Sequence, residues 1–577
     1  MPKLIVFEDE HLLVVNKPAG WNTHSPAPYA GEGVFDWLRH REPRWAKLAI
    51  MHRLDKETSG VLVFGKTAEA NRSLTQQFAT RSVRKTYVLL TDRPVQRKEF
   101  TVTSAIVRAG AKYVSRPVHA GNDAATTRFS LRSQAGGLTT LAAEPLTGRT
   151  HQIRVHAASE GLPILGDALY GGSPAARVCL HAESLALRHP ATKEAMLFSA
   201  PAEFAADVRS GLREAIIDPT QTNAYRLIHG ASEGWPGWYV ERLGDFLLSL
   251  SEQPLSAAQK LCLVELAQAA PHPGPLPIRW GEGARRERVG EDERAFCPNG
   301  GVTFPLSPSD GERAGVRGFQ PGLYHKRLDR QVRRAAASEL CPEHVAGPVA
   351  PERFVVRENG VQFELSFSEG YSVGLFLDQR DNRRRFLMNH VAAEFPLFAE
   401  GARGKELLNA FAYTCGFSVC AATAGMKTTS LDLSKKYLEW GRRNFALNQL
   451  DPAAHDFIYG DAFEWLRRLA KKGRQFDVLV LDPPTFSQSK ERGVFRAEKD
   501  FGTLVKASLP LLRKGGILFA STNAARLEPE EWLAEIEAAV PSGGRRVVAR
   551  HFVPQPPDFP ISAAEPAYLK TVWLRLD

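Results

Sequence analysis

The feature that most constrains the fold is a regular alternation of apolar and amphipathic segments in the last third of this 577-residue chain. The apolar segments include ELLNAF, TTSLDLS, HDFIYGD, DVLVLDPP and GGILFAST, and helical patterns separate them. Strands that alternate with helices form a parallel sheet that is covered on both faces. The sequence therefore predicts a C-terminal α/β, Rossmann-like domain over residues 371–577.

Acidic residues end three of these predicted strands. They are Asp432, Asp461 and Asp482. Ligands of such sheets bind at the carboxyl ends of the strands, and an acid that ends the second strand can bind ribose hydroxyls. The loop after the first strand, NAFAYTCGFS, contains only Gly416 where a dinucleotide fold would show several glycines. The pattern therefore favours a nucleoside cofactor without a pyrophosphate over NAD.

The first third contains an acid between two cations in the stretch HRLDKETSG. Asp55 follows Arg53 by two residues and precedes Lys56 directly. Nearby positive charge favours the ionised carboxylate. Such a group can serve as a nucleophile, as a base or as half of a structural ion pair, and this stretch alone leaves all three open.

Two further polar clusters lie in the same strand-rich region. One is RKTYVLL, which carries Tyr87, and the other is GRTHQIRVH, which carries Arg149, His151, Gln152 and Arg154. Together they suggest one cleft that suits a phosphate backbone and an extruded base. The alternative is that the histidines only cap or solvate a helix.

Charge and cysteine usage narrow the class of protein. The net charge is +10 and the pI is about 9.2, which suits a polyanionic partner. The six cysteines form no CxxC pair and show no metal-ligand spacing with histidine, so the sequence predicts reduced thiols and no metal site. We find no signal peptide and no apolar run of the ~18 residues that a membrane helix needs, so we expect a cytoplasmic protein with no membrane partner.

The middle of the chain predicts a small α+β linker domain over residues 218–370. Residues 271–318, rich in Pro, Gly and Arg, interrupt it without any helical or strand period. We predict a disordered insertion there. A basic RNA-binding arm is the alternative.

The first third resembles the RluA-type pseudouridine synthases. The motifs NKPAG, HRLDKETSG, RKTYVLL, GRTHQIRVH and GLPILGD occur in order over about residues 4–205. The resemblance implies an α+β synthase fold with a mixed antiparallel sheet over residues 1–207. It also implies that Asp55 is the catalytic carboxylate, that Tyr87 lies against the uracil and that Arg154 pairs with Asp55. RNA-binding roles are implied for Arg53, Arg149, His151 and Gln152.

The chemistry of these residue types fits a uridine isomerisation. Asp55 would act at the sugar or its proton to break the C1′–N1 bond, and the detached uracil would rejoin through C5. Arg154 would keep Asp55 ionised and Tyr87 would stack on the free base. The reaction needs no metal or redox cofactor.

The last third resembles the RlmI and RlmK type of S-adenosylmethionine-dependent methyltransferases of 23S ribosomal RNA. The matching motifs are GLFLDQRDNR, LNAFAYTCGFSV, GDAFEWL, DPPTFSQSK and EPAYLK. The resemblance implies a class I methyltransferase fold with S-adenosylmethionine as its cofactor. The residues that it implies around the cofactor are Asn409, Tyr413, Thr414, Gly416, Asp432 (ribose), Asp461 (adenine), Asp482 and Pro483. Asp482 would also line the site of methyl transfer.

The sequence therefore predicts a bifunctional enzyme that makes pseudouridine and methylates a base in RNA, with ribosomal RNA favoured and transfer RNA possible. In RlmI-like enzymes that make 5-methylcytidine, a cysteine thiolate lies after the fifth strand, and GGILFASTNAAR has none. DPPTFSQSK is closer to the RlmK pattern, and RlmK-type enzymes methylate a guanine ring nitrogen, so the resemblance favours guanine N7 over cytosine C5. The alternatives are an active methyltransferase whose synthase-like half only binds RNA, and a methyltransferase of small molecules.

Overall fold

The computed structural model describes residues 3–119, 123–269, 321–328, 341–369, 372–489 and 493–577. The predicted disordered insertion, 271–318, lies outside the described residues. None of the helices in these ranges combines the length and the hydropathy that a membrane span requires.

The N-terminal part is built on an eleven-stranded mixed sheet. Its strands are β1 (Ile5–Glu8), β2 (Leu12–Lys17), β3 (Ala49–Ile50), β4 (Ser59–Gly65), β5 (Arg84–Thr91), β6 (Glu99–Ala109), β7 (Lys112–Arg116), β8 (Ala124–Ala135), β9 (Leu138–Pro145), β10 (Leu180–Arg188) and β11 (Ala195–Ser199). The main path runs β1-β2-β4-β10-β5-β9-β8-β6-β7, and only β4 and β10 pair in parallel. The predicted mixed antiparallel sheet is confirmed.

Among the described residues of this part, four α-helices accompany the sheet: α1 (Val34–Arg41), α2 (Ala68–Ala79), α3 (Gln152–Ser159) and α4 (Val208–Ile216). The Thr67 hydroxyl caps α2 by accepting a hydrogen bond from the backbone N–H of Ala70. Helix α3 packs on β6 and β8, and it is apolar or buried along most of its length. The polar side chains at its start are thereby fixed against the sheet.

The middle part contains a five-stranded sheet and a helix. They are β12 (Ala224–His229), β13 (Trp238–Leu243), β14 (Phe246–Ser251), α5 (Ala257–Ala269), β15 (Gly322–Arg327) and β16 (Glu343–Ala346). Strands β14 and β15 pair in parallel. The chain on the two sides of residues 270–320 therefore belongs to one sheet. A hairpin of β17 (Phe354–Glu358) and β18 (Val361–Leu365) follows. The Asn359–Gly360 pair between these two alternating segments is a sequence signal for such a hairpin turn.

The C-terminal part is a seven-stranded, mostly parallel sheet in the order β23-β22-β21-β24-β27-β29-β28. The strands of this part are β19 (His390–Ala392), β20 (Phe395–Pro396), β21 (Glu406–Ala410), β22 (Lys427–Asp432), β23 (Asp456–Tyr459), β24 (Phe476–Leu481), β25 (Phe486–Ser489), β26 (Gly493–Arg496), β27 (Leu512–Thr522), β28 (Val547–Val553) and β29 (Lys570–Leu576). Its helices are α6 (Arg380–Met388), α7 (Gly416–Thr423), α8 (Lys435–Leu447), α9 (Ala462–Lys471), α10 (Ala497–Ser508) and α11 (Pro529–Ala539).

Both faces of this sheet are covered, which confirms the predicted α/β fold. Along β24, Val478 and Val480 join one core, and Leu479 and Leu481 join the core on the opposite face. The topological switch lies between β21 and β24, which run side by side. Ligands of such sheets bind at that point.

One local prediction was wrong. The sequence from Tyr371 predicts a strand that runs into a basic helix, but the described residues from 372 onward form no strand before a 3-10 turn at Leu377–Gln379 and helix α6. Val373, Leu375 and Leu377 are buried all the same, whereas Phe376 is exposed. This alternation explains the strand-like pattern.

Candidate active sites

The loop that carries Asp55 is held in place by a buried lysine. The ammonium group of Lys17, at the end of β2, donates to the carbonyls of Pro18 (3.0 Å), Trp21 (2.6 Å) and Lys56 (3.2 Å). Burial lowers the pKa of Lys17 to about 7, against an opposing effect of the Asp55 charge. The sequence motif NKPAG contains this residue, but nothing in its pattern shows that the side chain points inward.

The Asp55 side chain is partly accessible, with 28% of its surface exposed. Its Oδ2 is 3.7 Å from Arg154 Nη1 and 3.9 Å from His151 Nε2. In the part of the chain that the structure describes, these oxygens have ion-pair neighbours but accept no hydrogen bond. The group is therefore electrostatically supported and still free to approach a substrate.

Arg154 is held by a residue that the sequence analysis missed. Its Nε and Nη2 donate to Asp167 Oδ2 (2.7 Å) and Oδ1 (2.8 Å), a bidentate pair that is almost fully buried. Its Nη1 faces both Asp55 and Glu57 (3.6 Å), and the guanidinium lies 5.1 Å from the ring centre of Tyr170. The predicted ion pair of Arg154 with Asp55, at 3.7 Å, is thus longer than its pair with Asp167, at 2.7 Å. Asp167 is the last residue of GLPILGD, one of the motifs that carry the resemblance, and that position was the only sign in the sequence that it has a role.

Strand register brings Tyr87 close enough to Asp55 for the carboxylate charge to act on the phenol. Gly60, Ala182 and Tyr87 are neighbours across β4, β10 and β5, and Gly60 is five residues from Asp55. A side chain at Gly60 (φ +119°) would lie 2.2 Å from the carbonyl oxygen of Ala182, so the strand crossing requires glycine. Burial, aided by the charge of Asp55, raises the pKa of Tyr87, which keeps the phenol neutral.

The predicted RNA-binding residues fall into two groups. Arg53 and Arg149 are exposed, and Arg149 pairs with exposed Asp123 at 2.6 Å. His151 Nδ1 lies 2.7 Å from the Tyr170 hydroxyl. Gln152 is buried. Its amide accepts from Thr147 and from the backbone N–H of Arg149, and it donates to Thr126 and Thr127. These bonds fit a structural role for Gln152 rather than direct contact with RNA.

The second candidate site lies at the carboxyl ends of β21, β22 and β24. The Asp432 carboxylate accepts hydrogen bonds from the backbone N–H groups of Tyr413 and Ser434, both 2.8 Å. Burial raises the pKa of Asp432 although these bonds oppose the effect. Asn409 donates to the Ser418 hydroxyl at 3.0 Å. Two predicted cofactor residues are therefore anchored side by side where the sheet ends.

The loop between Asn409 and α7 has an unusual backbone. Phe411, Tyr413 and Cys415 all adopt left-handed conformations, which cost free energy in non-glycine residues. The Thr414 hydroxyl donates to the Gly374 carbonyl at 2.6 Å and fixes the loop against the segment before α6. Gly416 then begins α7. Such local strain is common where a loop encloses a ligand.

Asp482 ends β24 and is the most perturbed acid at this end of the sheet. Burial raises its pKa to about 6. Gln379 lies beside it, with Nε2 at 3.4 Å and 3.5 Å from its oxygens and 2.8 Å from the Ser521 hydroxyl. Nearby Asp378 accepts a hydrogen bond from Tyr568 at 2.9 Å. The sequence analysis assigned no role to Gln379, Asp378 or Tyr568, although their motifs GLFLDQRDNR and EPAYLK contributed to the resemblance.

The remaining predicted residues have plainer surroundings. Asp461 caps α9, where its side chain accepts from the backbone N–H of Glu464 at 3.1 Å. Pro483 is buried directly after Asp482. Cys415 and Cys420 are buried, and burial raises the pKa of Cys415 to about 12 and that of Cys420 further. Neither thiol is suited to form a thiolate at neutral pH.

The residues at the end of the sheet fit S-adenosylmethionine. Asn409 Oδ1 is buried and has no hydrogen-bond partner among the described residues, which is costly unless a ligand supplies a donor. The Asp432 carboxylate can accept from ribose hydroxyls. Asn409 Oδ1 and the Asp432 carboxylate are both hydrogen-bond acceptors. They therefore match a ligand that is rich in N–H and O–H donors.

Two family models match the chain. The model of RNA pseudouridylate synthases matches residues 11–159, and that of S-adenosylmethionine-dependent methyltransferases matches residues 324–575. The first match contains Asp55 and Tyr87, and the second contains Asp432 and Asp482.

Similar proteins include a ribosomal RNA large subunit methyltransferase of Deinococcus radiodurans, 32% identical over 383 residues, which are 64% of this chain and 78% of that protein. A ribosomal RNA large subunit methyltransferase K/L of Psychrobacter cryohalolentis is 40% identical over 32% of this chain, which spans only 22% of that relative. The solved structure of human RNA Pseudouridylate Synthase Domain Containing 1 is 27% identical and covers 34% of this chain and 82% of its own, with a TM-score of 0.29.

Proposed function

We propose that this chain is a bifunctional RNA-modifying enzyme. It belongs to the family of the ribosomal RNA large subunit methyltransferases. It also carries an RNA pseudouridylate synthase domain before its methyltransferase domain. The two family resemblances predicted from the sequence are confirmed. We propose that it converts a uridine to pseudouridine and methylates a guanine at N7, with ribosomal RNA as the substrate. We assign these activities to residues 1–207 and 371–577, with residues 218–370 as a linker domain.

The Asp55 carboxylate is the observation that supports synthase activity. It is partly exposed, accepts no hydrogen bond from the described residues and lies 3.7 Å from a guanidinium that Asp167 holds rigidly. A module that only binds RNA would gain nothing from an acid there, because a carboxylate repels phosphates. In our proposal Asp55 acts at the sugar or its proton, Arg154 stabilises its charge, and Tyr87 holds the detached uracil.

The raised pKa of Asp482 and the inert cysteines support methylation of a ring nitrogen. When bound, S-adenosylmethionine supplies an electrophilic methyl group. Guanine N7 has a lone pair and needs no enzyme nucleophile, whereas cytosine C5 needs a thiolate. Of the five cysteines that the structure describes, those near the site, Cys415 and Cys420, are buried with raised pKa values. Asp482 would accept hydrogen bonds from the guanine and stabilise the positive charge that develops on it.

Binding of the cofactor would depend on the chain's own acceptors. Asp432 would accept from the ribose hydroxyls, and Asn409 and the loop to Gly416 would enclose the methionine part. Asp461 and Pro483 would flank the adenine and the transferred methyl group. Exposed Arg53 and Arg149 would contact the RNA backbone.

The test of the synthase half uses Asp55→Asn in the full-length chain. The variant and the wild type are incubated with bulk ribosomal and transfer RNA, and pseudouridine and methylated bases are mapped by mass spectrometry. We expect pseudouridine formation to be lost and methylation to be retained, and hydrogen exchange on peptides of α3 and β4 checks that the N-terminal part is folded. Unchanged pseudouridine formation in the variant would contradict the assignment, and its absence in the wild type on every RNA would favour a purely RNA-binding half.

The methyltransferase half is tested with Asp432→Asn and Asp482→Asn. We expect the first to weaken S-adenosylmethionine binding, measured by calorimetry, and the second to leave binding in place while it lowers the methylation rate. The same mass spectra identify the methylated base. A product of 5-methylcytidine would refute the assignment to guanine N7.

A further inference from the structure

A cluster of metal-ligating side chains lies where the N-terminal and C-terminal parts of the chain meet. Glu32 precedes α1, His40 lies near its end, and His551 lies on β28. The potential ligand atoms of these three side chains all lie within 4.8 Å of one another. Glu32 and His40 lie eight residues apart, but His551 follows more than 500 residues later, so no spacing motif reveals the cluster. Neither candidate active site uses any of them.

The contact between the two parts is well defined around this cluster. Helix α1 packs against α6 and β19. Trp37 Nε1 donates to Asp381 at 3.2 Å, and Arg384 forms an ion pair with Glu42. The His40 and His551 rings pack edge to face with centres 4.3 Å apart. The cluster is therefore part of a packed junction and not a chance approach of two mobile surfaces.

The cluster contains a polar atom that nothing satisfies. His551 Nε2 is buried and has no hydrogen-bond partner among the described residues. A buried nitrogen without a partner costs free energy comparable to a lost hydrogen bond. His40 Nδ1 and Glu32 Oε1 are joined by a hydrogen bond of 2.6 Å, whose proton lies between them. A ligand that bonds to all three groups would remove the cost at His551 and replace that proton.

We propose that Glu32, His40 and His551 bind a divalent transition-metal ion, with zinc favoured, that joins the two parts of the chain. Two imidazoles and a carboxylate form a ligand set that zinc uses where a fourth position is left for water. Bonds of about 2.0–2.1 Å in tetrahedral geometry place ligand atoms roughly 3.3 Å apart. The ligand atoms now lie within 4.8 Å of one another, so side-chain rotations would have to bring them to this spacing. Binding would break the hydrogen bond between His40 and Glu32, and the imidazole proton would move from Nδ1 to Nε2 of His40 so that Nδ1 can bind the ion.

The surrounding charges allow this ion. Arg41 is 3.5 Å from Asp381, and Arg384 pairs with Glu42, so two of the three nearby guanidinium groups have acidic partners. Arg385 donates to the backbone carbonyls of Asp381 and Val391. A small cleft lined in part by Glu32 and His40 adjoins the cluster. The arginines weaken binding without occupying the site.

The first experiment measures zinc binding to full-length protein that has no histidine tag and has been stripped with a chelator. Zinc is titrated in competition with a chromophoric chelator. We expect one ion per chain in the wild type. Glu32→Gln and His551→Gln should each weaken binding about tenfold or more, since even outer-shell changes cost that much. His344→Gln, which changes an exposed histidine outside the cluster, should have no effect. Equal affinity in wild type, E32Q and H551Q would overturn the proposal, as would no binding in the wild type.

A second measurement on the wild type does not depend on how the variants fold. Cobalt replaces zinc, and its spectrum should show a site with nitrogen and oxygen ligands. A thiolate-to-cobalt charge-transfer band would place the ion at cysteines and refute the assignment. Hydrogen exchange should slow in both α1 and β28 when zinc is added, because the ion has ligands in both. Protection confined to one of them would refute the bridging role.

Discussion

Replacing Asp167 with asparagine tests whether a buried ion pair holds Arg154 in place. The side chains of Arg154 and Asp167 are 4% and 1% exposed, and two hydrogen bonds of 2.7 Å and 2.8 Å join them. The asparagine amide has nearly the same shape but turns an N–H toward the guanidinium. Loss of one partner from a buried pair typically costs about 3–5 kcal/mol. We expect Asp167→Asn to lower the free energy of unfolding of the N-terminal part by about 3 kcal/mol, near the low end of that range.

The matched control is Asp123→Asn. Asp123 also pairs with an arginine, Arg149, at 2.6 Å, but the side chains are 80% and 47% exposed. Solvent screens such a pair, and its removal should cost at most about 1 kcal/mol. Hydrogen exchange at increasing urea, read by mass spectrometry on peptides of α3 and β4, isolates the N-terminal part from the rest of the chain. A loss in D167N no larger than that in D123N would refute the reasoning.

Three further predictions concern the strand crossing and the second site. Gly60→Ala should destabilise the N-terminal part by about 1–3 kcal/mol or more, because φ is +119° and the new Cβ meets the backbone. The control is Gly211→Ala in α4, where nothing lies within 4 Å of the new Cβ. It should stabilise the same part by about 0.5–1 kcal/mol in the same urea assay, because alanine favours the helix. The methylation rate should fall as the pH falls through about 6, because protonation removes the Asp482 charge. The raised pKa also means that ionisation of Asp482 destabilises the fold, and this cost develops between about pH 4 and 6. D482N should therefore be more stable than the wild type at pH 7 and not at pH 4. A methylation rate that does not change with pH would contradict the first expectation, and equal stabilities at pH 7 would contradict the second. Cys415→Ala and Cys420→Ala should each retain methyl transfer, and loss of activity with binding of S-adenosylmethionine intact would contradict a mechanism without a cysteine.

The sequence predicted those features that depend on neighbours along the chain. The alternation of β21–β24 with α7–α9 predicted a parallel sheet, because burial on both faces requires apolar strands and amphipathic helices. The same argument located Asp432 and Asp482, since a residue that ends a parallel strand lies at the ligand-binding edge whatever the packing. It failed before α6, where burial of apolar side chains does not require a strand.

What depends on contacts between distant segments was decided only by the tertiary structure. Asp167 competes with Asp55 for Arg154, Lys17 turns inward to hold the loop that carries Asp55, and Gln379 reaches Asp482 from another segment. Glu32, His40 and His551 meet only because β28 packs beside α1. Local hydrophobic periodicity is recorded in the order of residues, and therefore sequence reasoning finds strands and helices. Which polar side chains share a buried space depends on how the elements pack, and no local pattern records that.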